Sequence, residues 1–170
     1  MPTDGVLSTG DRPAALIAER GNLFVYGTLQ FPEVLGVLLG RIPQISAAAL
    51  VGWRAAALAR RTYPGLTPAA TTVRGMLLTG LTDDEVVLLD EYESGPYDLR
   101  KLTLTDGRYA WAYVWTDASS VLAADWSAAR FAADQLPAFV VQCHAWLTSR
   151  AHAKSSGRPA TRPHDPAPRF

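Results

Sequence analysis

Leu23-Phe24-Val25-Tyr26-Gly27-Thr28-Leu29-Gln30 is the stretch from which the fold can be read. Leu23 to Tyr26 is apolar, β-branched and aromatic, the pattern of a short buried strand. Gly27 permits a sharp turn that a residue with a Cβ would resist. Pro32 follows, pre-set for the first turn of a helix. Strand, glycine corner and helix start, in that order, point several backbone N–H groups into one small space. Such a nest suits a carboxylate or a developing oxyanion. The same spacing also fits an ordinary strand-turn-helix corner, so the rest of the chain has to decide between the two.

Working outward, the pattern predicts a helix over Pro32–Leu39, with Leu35, Leu38 and Leu39 on one face and Gly40 as its stop. Ile45 to Ala57 reads as two strands or one bent strand, with Gly52 marking the bend. Tyr63 to Pro68 is loop chemistry, Pro64-Gly65 fitting the centre of a type II turn, and Val73 to Thr79 is a further strand. Leu81 to Tyr92 predicts a helix. Thr82 and Glu85 form a capping box, Leu81 and Val86 stand at the staple positions, and Asp83 and Asp84 lie in the first turn, where the helix dipole favours them. Asp106-Gly107 suits a type I′ hairpin turn between Leu99–Thr105 and Arg108–Trp115. From Ser127 the pattern is helical, divided at Pro137, with Leu136, Phe139, Val140, Cys143 and Leu147 as a packing stripe. One domain over residues 22–150 is expected between a flexible leader, 1–21, and a disordered tail, 151–170.

Composition narrows the class. Hydrophobic residues make up 48% of the 170 and charged residues 19%, ample for one packed core. Lys+Arg and Asp+Glu number 16 each, so charge favours neither nucleic acid nor an anionic membrane surface as partner. The single cysteine, Cys143, leaves no intrachain disulfide framework and fits a reducing compartment. No signal-like start and no apolar run near the ~20 residues of a membrane helix are present, so a cytoplasmic location is expected. His144, His152 and His164 are scattered and make a poor metal site. No P-loop or dinucleotide fingerprint occurs, and neither cofactor nor metal is expected.

Asp90, Glu91 and Glu93 place three acids within four positions at the end of a predicted helix, where the dipole disfavours negative charge. Should Glu93 face an apolar pocket, desolvation and the dipole would both raise its pKa, which suits a proton-transfer group. All three can equally be solvated surface acids, or one can pair with Arg100.

Taken together these pieces resemble the γ-glutamylcyclotransferase family, specifically its AIG2-like branch. The resemblance rests on Tyr26-Gly27-Thr28-Leu29 after an apolar strand, then Gly52-Trp53, Tyr63-Pro64-Gly65-Leu66, Val73-Arg74-Gly75, Leu89-Asp90-Glu91-Tyr92-Glu93, Tyr97, Arg100 and Ala112-Tyr113-Val114-Trp115. It covers roughly residues 22 to 130, and its specificity lies in the order and number of the pieces. It implies an α+β fold, a small mixed β-barrel with flanking helices. It also implies an enzyme that releases 5-oxoproline and a free amine from a γ-glutamyl amine or amide. The family's proton-transferring glutamate maps to Glu93. Backbone groups of Tyr26, Gly27, Thr28, Leu29 and Gln30 would cradle the substrate, with Tyr113 and Arg100 as further substrate-binding candidates. Relatives often carry glycine directly after the glutamate, where this chain has Ser94 before Gly95-Pro96.

Three other readings remain compatible with the sequence: a non-catalytic small-molecule binding module on the same fold, an amide or ester hydrolase in which Glu93 activates water, and an assembly domain built on the aromatic hairpin. The leaving amine and the oligomeric state are left open by the residues.

Overall fold

A computed structural model describes residues 11–19 and 22–157. A six-stranded sheet is built from β1 (Leu23–Val25), β2 (Gln44–Leu58), β3 (Gly65–Thr79), β4 (Tyr97–Thr103), β5 (Tyr109–Trp115) and β6 (Val121–Asp125). Its order is β4-β5-β1-β3-β2-β6. Five helices accompany it: α1 (Arg12–Ala18), α2 (Pro32–Leu39), α3 (Asp83–Tyr92), α4 (Ala128–Asp134) and α5 (Leu136–Ser156). The expected α+β class is present, but the barrel does not close: β4 and β6 are the two edges of an open sheet.

β1 lies between β3, antiparallel, and β5, parallel. Beyond its end β3 and β5 pair directly, Leu66 opposite Val114. The short strand is therefore a wedge, and the corner that follows it opens where the neighbouring strands come together. Side chains alternate across the sheet. Leu23, Val25, Tyr113 and Trp115 belong to a core shared with the helices, while Phe24, Tyr26, Ala112 and Val114 belong to a second core on the other face. A strand covered on both faces has no polar positions, which accounts for the uninterrupted apolar run.

β2 is one bent strand: its register with β3 shifts between Val51 and Trp53, where Gly52 takes the left-handed φ of +87°. That shift also explains a difference from the sequence reading, in which Gly65 to Pro68 were loop. They are the start of β3, with Pro68 opposite Trp53 beside the irregularity, a place in a sheet that tolerates proline. Gly65 is absent from the positive-φ residues, so the type II turn does not form. At the β4–β5 hairpin Gly107 alone is left-handed, and its N–H bonds the Leu104 carbonyl. Asp106 instead accepts from the Arg108 N–H at 3.0 Å, so the type I′ turn is absent as well.

α3 begins as its sequence dictates. Thr82 Oγ1 accepts from the Glu85 N–H at 3.2 Å and Glu85 Oε2 accepts from the Thr82 N–H at 2.9 Å. α5 buries Phe139, Cys143 and Trp146 and continues to Ser156, past the boundary expected at residue 150. The leader differs more. Residues 12–18 are helical, with Arg12 and Leu16 buried. Leu16 packs into the helix-side core and Arg12 forms a buried ion pair, tertiary partners that a seven-residue segment does not announce locally. The expectations for residues 1–10 and 158–170 lie outside the described residues. No described helix is long and apolar enough to cross a membrane.

Candidate active site

Where β1 ends, the chain turns through Gly27 into a 3₁₀ turn, Thr28–Gln30, that leads to α2. Gly27 has φ −122°, outside the left-handed region. The requirement is space: a Cβ there would stand 2.9 Å from Cδ and Cγ of Pro64. The hydrogen bonds of the 3₁₀ turn are donated by Gln30 and Phe31 to the carbonyls of Gly27 and Thr28. The N–H groups of Thr28 and Leu29 thus head the turn with no acceptor inside it.

A recess lies against this corner. It is narrow, and its wall includes Tyr26, Gly27, Thr28, Leu29, Pro64, Glu93, Tyr97 and Tyr113. The early glycine corner and the acid from the end of α3 therefore share one hollow. Glu93 is the C-cap of α3 and is only 8% exposed.

The three acids divide by direction. Successive residues around a helix end project about 100° apart, so neighbours in sequence meet different surroundings. Glu91 points outward and pairs with Arg150 of α5. Asp90 points inward, where Arg12 Nε donates to its Oδ1 at 2.9 Å and the Tyr113 hydroxyl donates to the same oxygen at 2.7 Å. Glu93 is the one that reaches the recess. Burial pushes the Tyr113 hydroxyl well above its ordinary range, the Asp90 charge and its hydrogen bond add to this, Glu93 contributes in the same direction, and Arg12 opposes. Tyr113 therefore stays protonated, and its one proton is given to Asp90.

The tyrosines lining the recess are braced rather than loose. Tyr26 Oη donates to the Tyr113 carbonyl at 2.6 Å and accepts from the Leu66 N–H at 3.2 Å. Tyr97 Oη donates to the Pro64 carbonyl at 2.9 Å. Thr28 Oγ1 and Tyr92 Oη share a hydrogen bond of 2.8 Å. Of the residues singled out from sequence, Tyr26, Gly27, Thr28, Leu29, Glu93 and Tyr113 meet at the recess. Gln30 and Arg100 do not line it. Gln30 Nε2 turns back to the Gly27 carbonyl at 3.2 Å and borders a separate groove with Arg54 and Trp126. Arg100 sits on β4 opposite Ala112, and the cation that binds the neighbouring acid is Arg12. Among the described residues no three histidine, cysteine or carboxylate side chains gather to hold a metal ion.

Comparison with known proteins places the chain in a family. Residues 23–128 match the family described as Gamma-glutamyl cyclotransferase, AIG2-like, and the chain belongs to that family. AIG2-like protein C of Arabidopsis thaliana is 47% identical over 88 residues, which cover 50% of this chain and 51% of that protein. AIG2-like protein D of the same plant is 38% identical over 102 residues, 54% of this chain and 67% of the relative. The chain thus spans about half the length of most of the curated relatives it matches. A solution structure of an Arabidopsis thaliana protein has a TM-score of 0.54 at 27% identity, covering 81% of this chain and 93% of that one.

Proposed function

We propose that this protein cyclises a γ-glutamyl amine or amide, releasing 5-oxoproline and the free amine, with Glu93 as acid and base. The observation that carries the reading is the meeting of a buried glutamate with the backbone of the Tyr26–Leu29 corner around one recess.

The chemistry asks little of the protein. The substrate's α-nitrogen attacks its own γ-carbonyl carbon, forming the C–N bond of a five-membered lactam, and the bond to the leaving nitrogen breaks. Because the nucleophile is intramolecular, orientation supplies much of the acceleration. Glu93 takes one proton from the α-ammonium, freeing the lone pair that attacks, and returns it to the departing nitrogen. The attacking nitrogen then gives up its second proton, which ends on the released amine as its ammonium, so one carboxylate serves each transfer in turn. The N–H groups of Thr28 and Leu29 are donors for the substrate carboxylate or the oxyanion that develops on the γ-oxygen. The braced tyrosines keep the walls fixed, which is what orientation requires.

Glu93→Gln preserves shape and removes the titrating oxygen. Product analysis by mass spectrometry on γ-glutamyl amides is expected to show 5-oxoproline from the parent and a loss of about 10²-fold or more in the variant. Equal release by both proteins would refute the assignment. Free glutamate in place of 5-oxoproline would mean hydrolysis, and thermal stabilisation by compounds that stay intact would mean a binding module.

A further inference from the structure

We infer that Arg12, from the helix that precedes the family domain, is a positioning residue that fixes Glu93 in the recess. The inference rests on the reading of Glu93 as the acid/base. Arg12 lies outside residues 23–128, the span matched by the family. It is 3% exposed, and its hydrogen bonds run to Asp90, Glu93 and Tyr97, the segment that carries Glu93.

The guanidinium faces the C-terminal end of α3. Nε donates to Asp90 Oδ1 at 2.9 Å, one terminal nitrogen approaches the Asp90 carbonyl at 3.5 Å and the Glu93 carbonyl at 3.4 Å, and the other donates to the Tyr97 carbonyl at 3.2 Å. Its carbon also lies 5.0 Å from the centre of the Tyr113 ring. One planar group thus holds the last turn of α3, the cap residue Glu93 and the first residue of β4. Between those anchors runs the turn Ser94-Gly95-Pro96, where Gly95 takes the left-handed φ of +121°. Glu93 and Tyr97, at the two ends of that turn, both line the recess.

Chemistry explains why arginine stands here. A helix C-terminus presents carbonyls without intrahelical donors, and a cation there is favourable. Five N–H donors in a rigid fork can meet diverging acceptors at once, whereas a lysine ammonium is a point charge on a flexible stem. α1 is docked independently by Leu16 in the helix-side core and by the Lys101–Glu19 pair at 2.8 Å, so the fork is presented by an anchored element.

The test uses Arg12→Lys in the full chain. This variant keeps a positive charge beside Asp90, so the fold is not left with an unpaired buried carboxylate, but it gives up the fork to the Glu93 and Tyr97 carbonyls. A second variant, Arg12→Met combined with Asp90→Asn, removes both charges together. Parent and variants are assayed for 5-oxoproline release from γ-glutamyl amides well below their melting temperatures, and amide hydrogen exchange is read in parallel.

The expected result is a fall in kcat of about ten-fold or more with KM within about two-fold, as misplacement of a reacting group gives. Exchange at the Ser94 and Tyr97 amides should accelerate about ten-fold while β3 amides keep their protection, a local signature that a merely structural role would not give. An active parent with unchanged kcat in both variants, or exchange that rises uniformly across the fold, overturns the inference and leaves Glu93 in place. A parent that releases no 5-oxoproline from any γ-glutamyl amide overturns the reading of Glu93 itself, and the positioning role with it.

Discussion

Gly27→Ala tests the geometry of the site more directly than any change to a polar residue. The left-handed conformation that favours glycine is not the issue, since φ is −122°. The added methyl would lie 2.9 Å from two ring carbons of Pro64, where ordinary contact begins near 3.4 Å. Relief needs a shift of ~0.5 Å or more, because repulsion rises steeply inside contact distance. Pro64 is poorly placed to give way. Its carbonyl takes the Tyr97 hydroxyl, Tyr63 before it is buried, and a Cβ on Gly65 after it would already stand 2.6 Å from Trp115.

Overpacking of such a corner costs about 1–3 kcal/mol, which for a domain of this size lowers Tm by roughly 3–10 °C. Urea denaturation of Gly27→Ala, Pro64→Ala and the double variant measures the cause as well as the cost. Removing the proline ring vacates the space the new methyl needs, so the double variant should recover about 1 kcal/mol or more relative to the sum of the singles. Strict additivity, or a Gly27→Ala protein as stable as the parent, would refute the claim that Pro64 is what requires a glycine. The same displacement moves Pro64 against Tyr97, so KM for a γ-glutamyl amide should rise in the single variant and fall back in the double.

Other expectations follow from individual contacts. Tyr113→Phe removes a buried hydroxyl that donates to the Asp90 carboxylate, and chemical denaturation should show a loss of about 1.5–3 kcal/mol. Thr82→Ala abolishes the side-chain half of the α3 capping box and should cost about 1 kcal/mol in thermal unfolding followed by circular dichroism. Glu85 is held below the usual carboxylate range, first by its hydrogen bonds from Arg41 and then by the Thr82 N–H, against desolvation; Asp106 and Asp117 are also lowered, chiefly by Arg108 and by Ser119. Groups with depressed native pKa values contribute stability above the unfolded-state value of about 4 and lose it as pH falls through the native one. Denaturation midpoints should therefore drop between pH 5 and acid, and Glu85→Gln should flatten part of that slope; an unchanged slope would remove Glu85 from the account.

How much of this was legible beforehand follows from how local each feature is. The capping box of α3, the left-handed Gly40 that ends α2 and the bend at Gly52 are decided by side chains a few residues apart, and each stands where the sequence places it. β6 was missed because Val121–Asp125 is mostly exposed and exists as an edge strand only through pairing with β2. For α1 the sequence allows a short helical turn over Ala14–Glu19 but favours a loose leader, because the decisive contact joins Arg12 to Asp90, 78 residues away. The hairpin turn type failed because Asp106 used its carboxylate to bind the Arg108 backbone. At the site, motif order points to Glu93 and to the glycine corner, whereas the sequence offers Arg100, close by, as partner for one of the three acids, and the fold supplies Arg12, from before the first strand, to Asp90 and Arg150 to Glu91.

The acidic end of α3 shows how one run of like charges is sorted. A carboxylate there opposes the helix dipole, so three of them persist only if each finds a different compensation. Glu91 has a surface partner in Arg150, and Asp90 has a buried cation and a buried hydroxyl. Both side chains are thereby tied to fixed groups on α5, α1 and β5, and neither turns toward the recess. Glu93, at the cap, is the carboxylate that the recess receives. The same Arg12 that neutralises Asp90 reaches the carbonyl of Glu93. Exchanging the acids tests this sorting: Asp90→Asn should act mainly on stability, whereas Glu93→Gln should act mainly on cyclisation, lowering it about 10²-fold or more. The reverse pattern would mean that Asp90 is the working acid and Glu93 the brace.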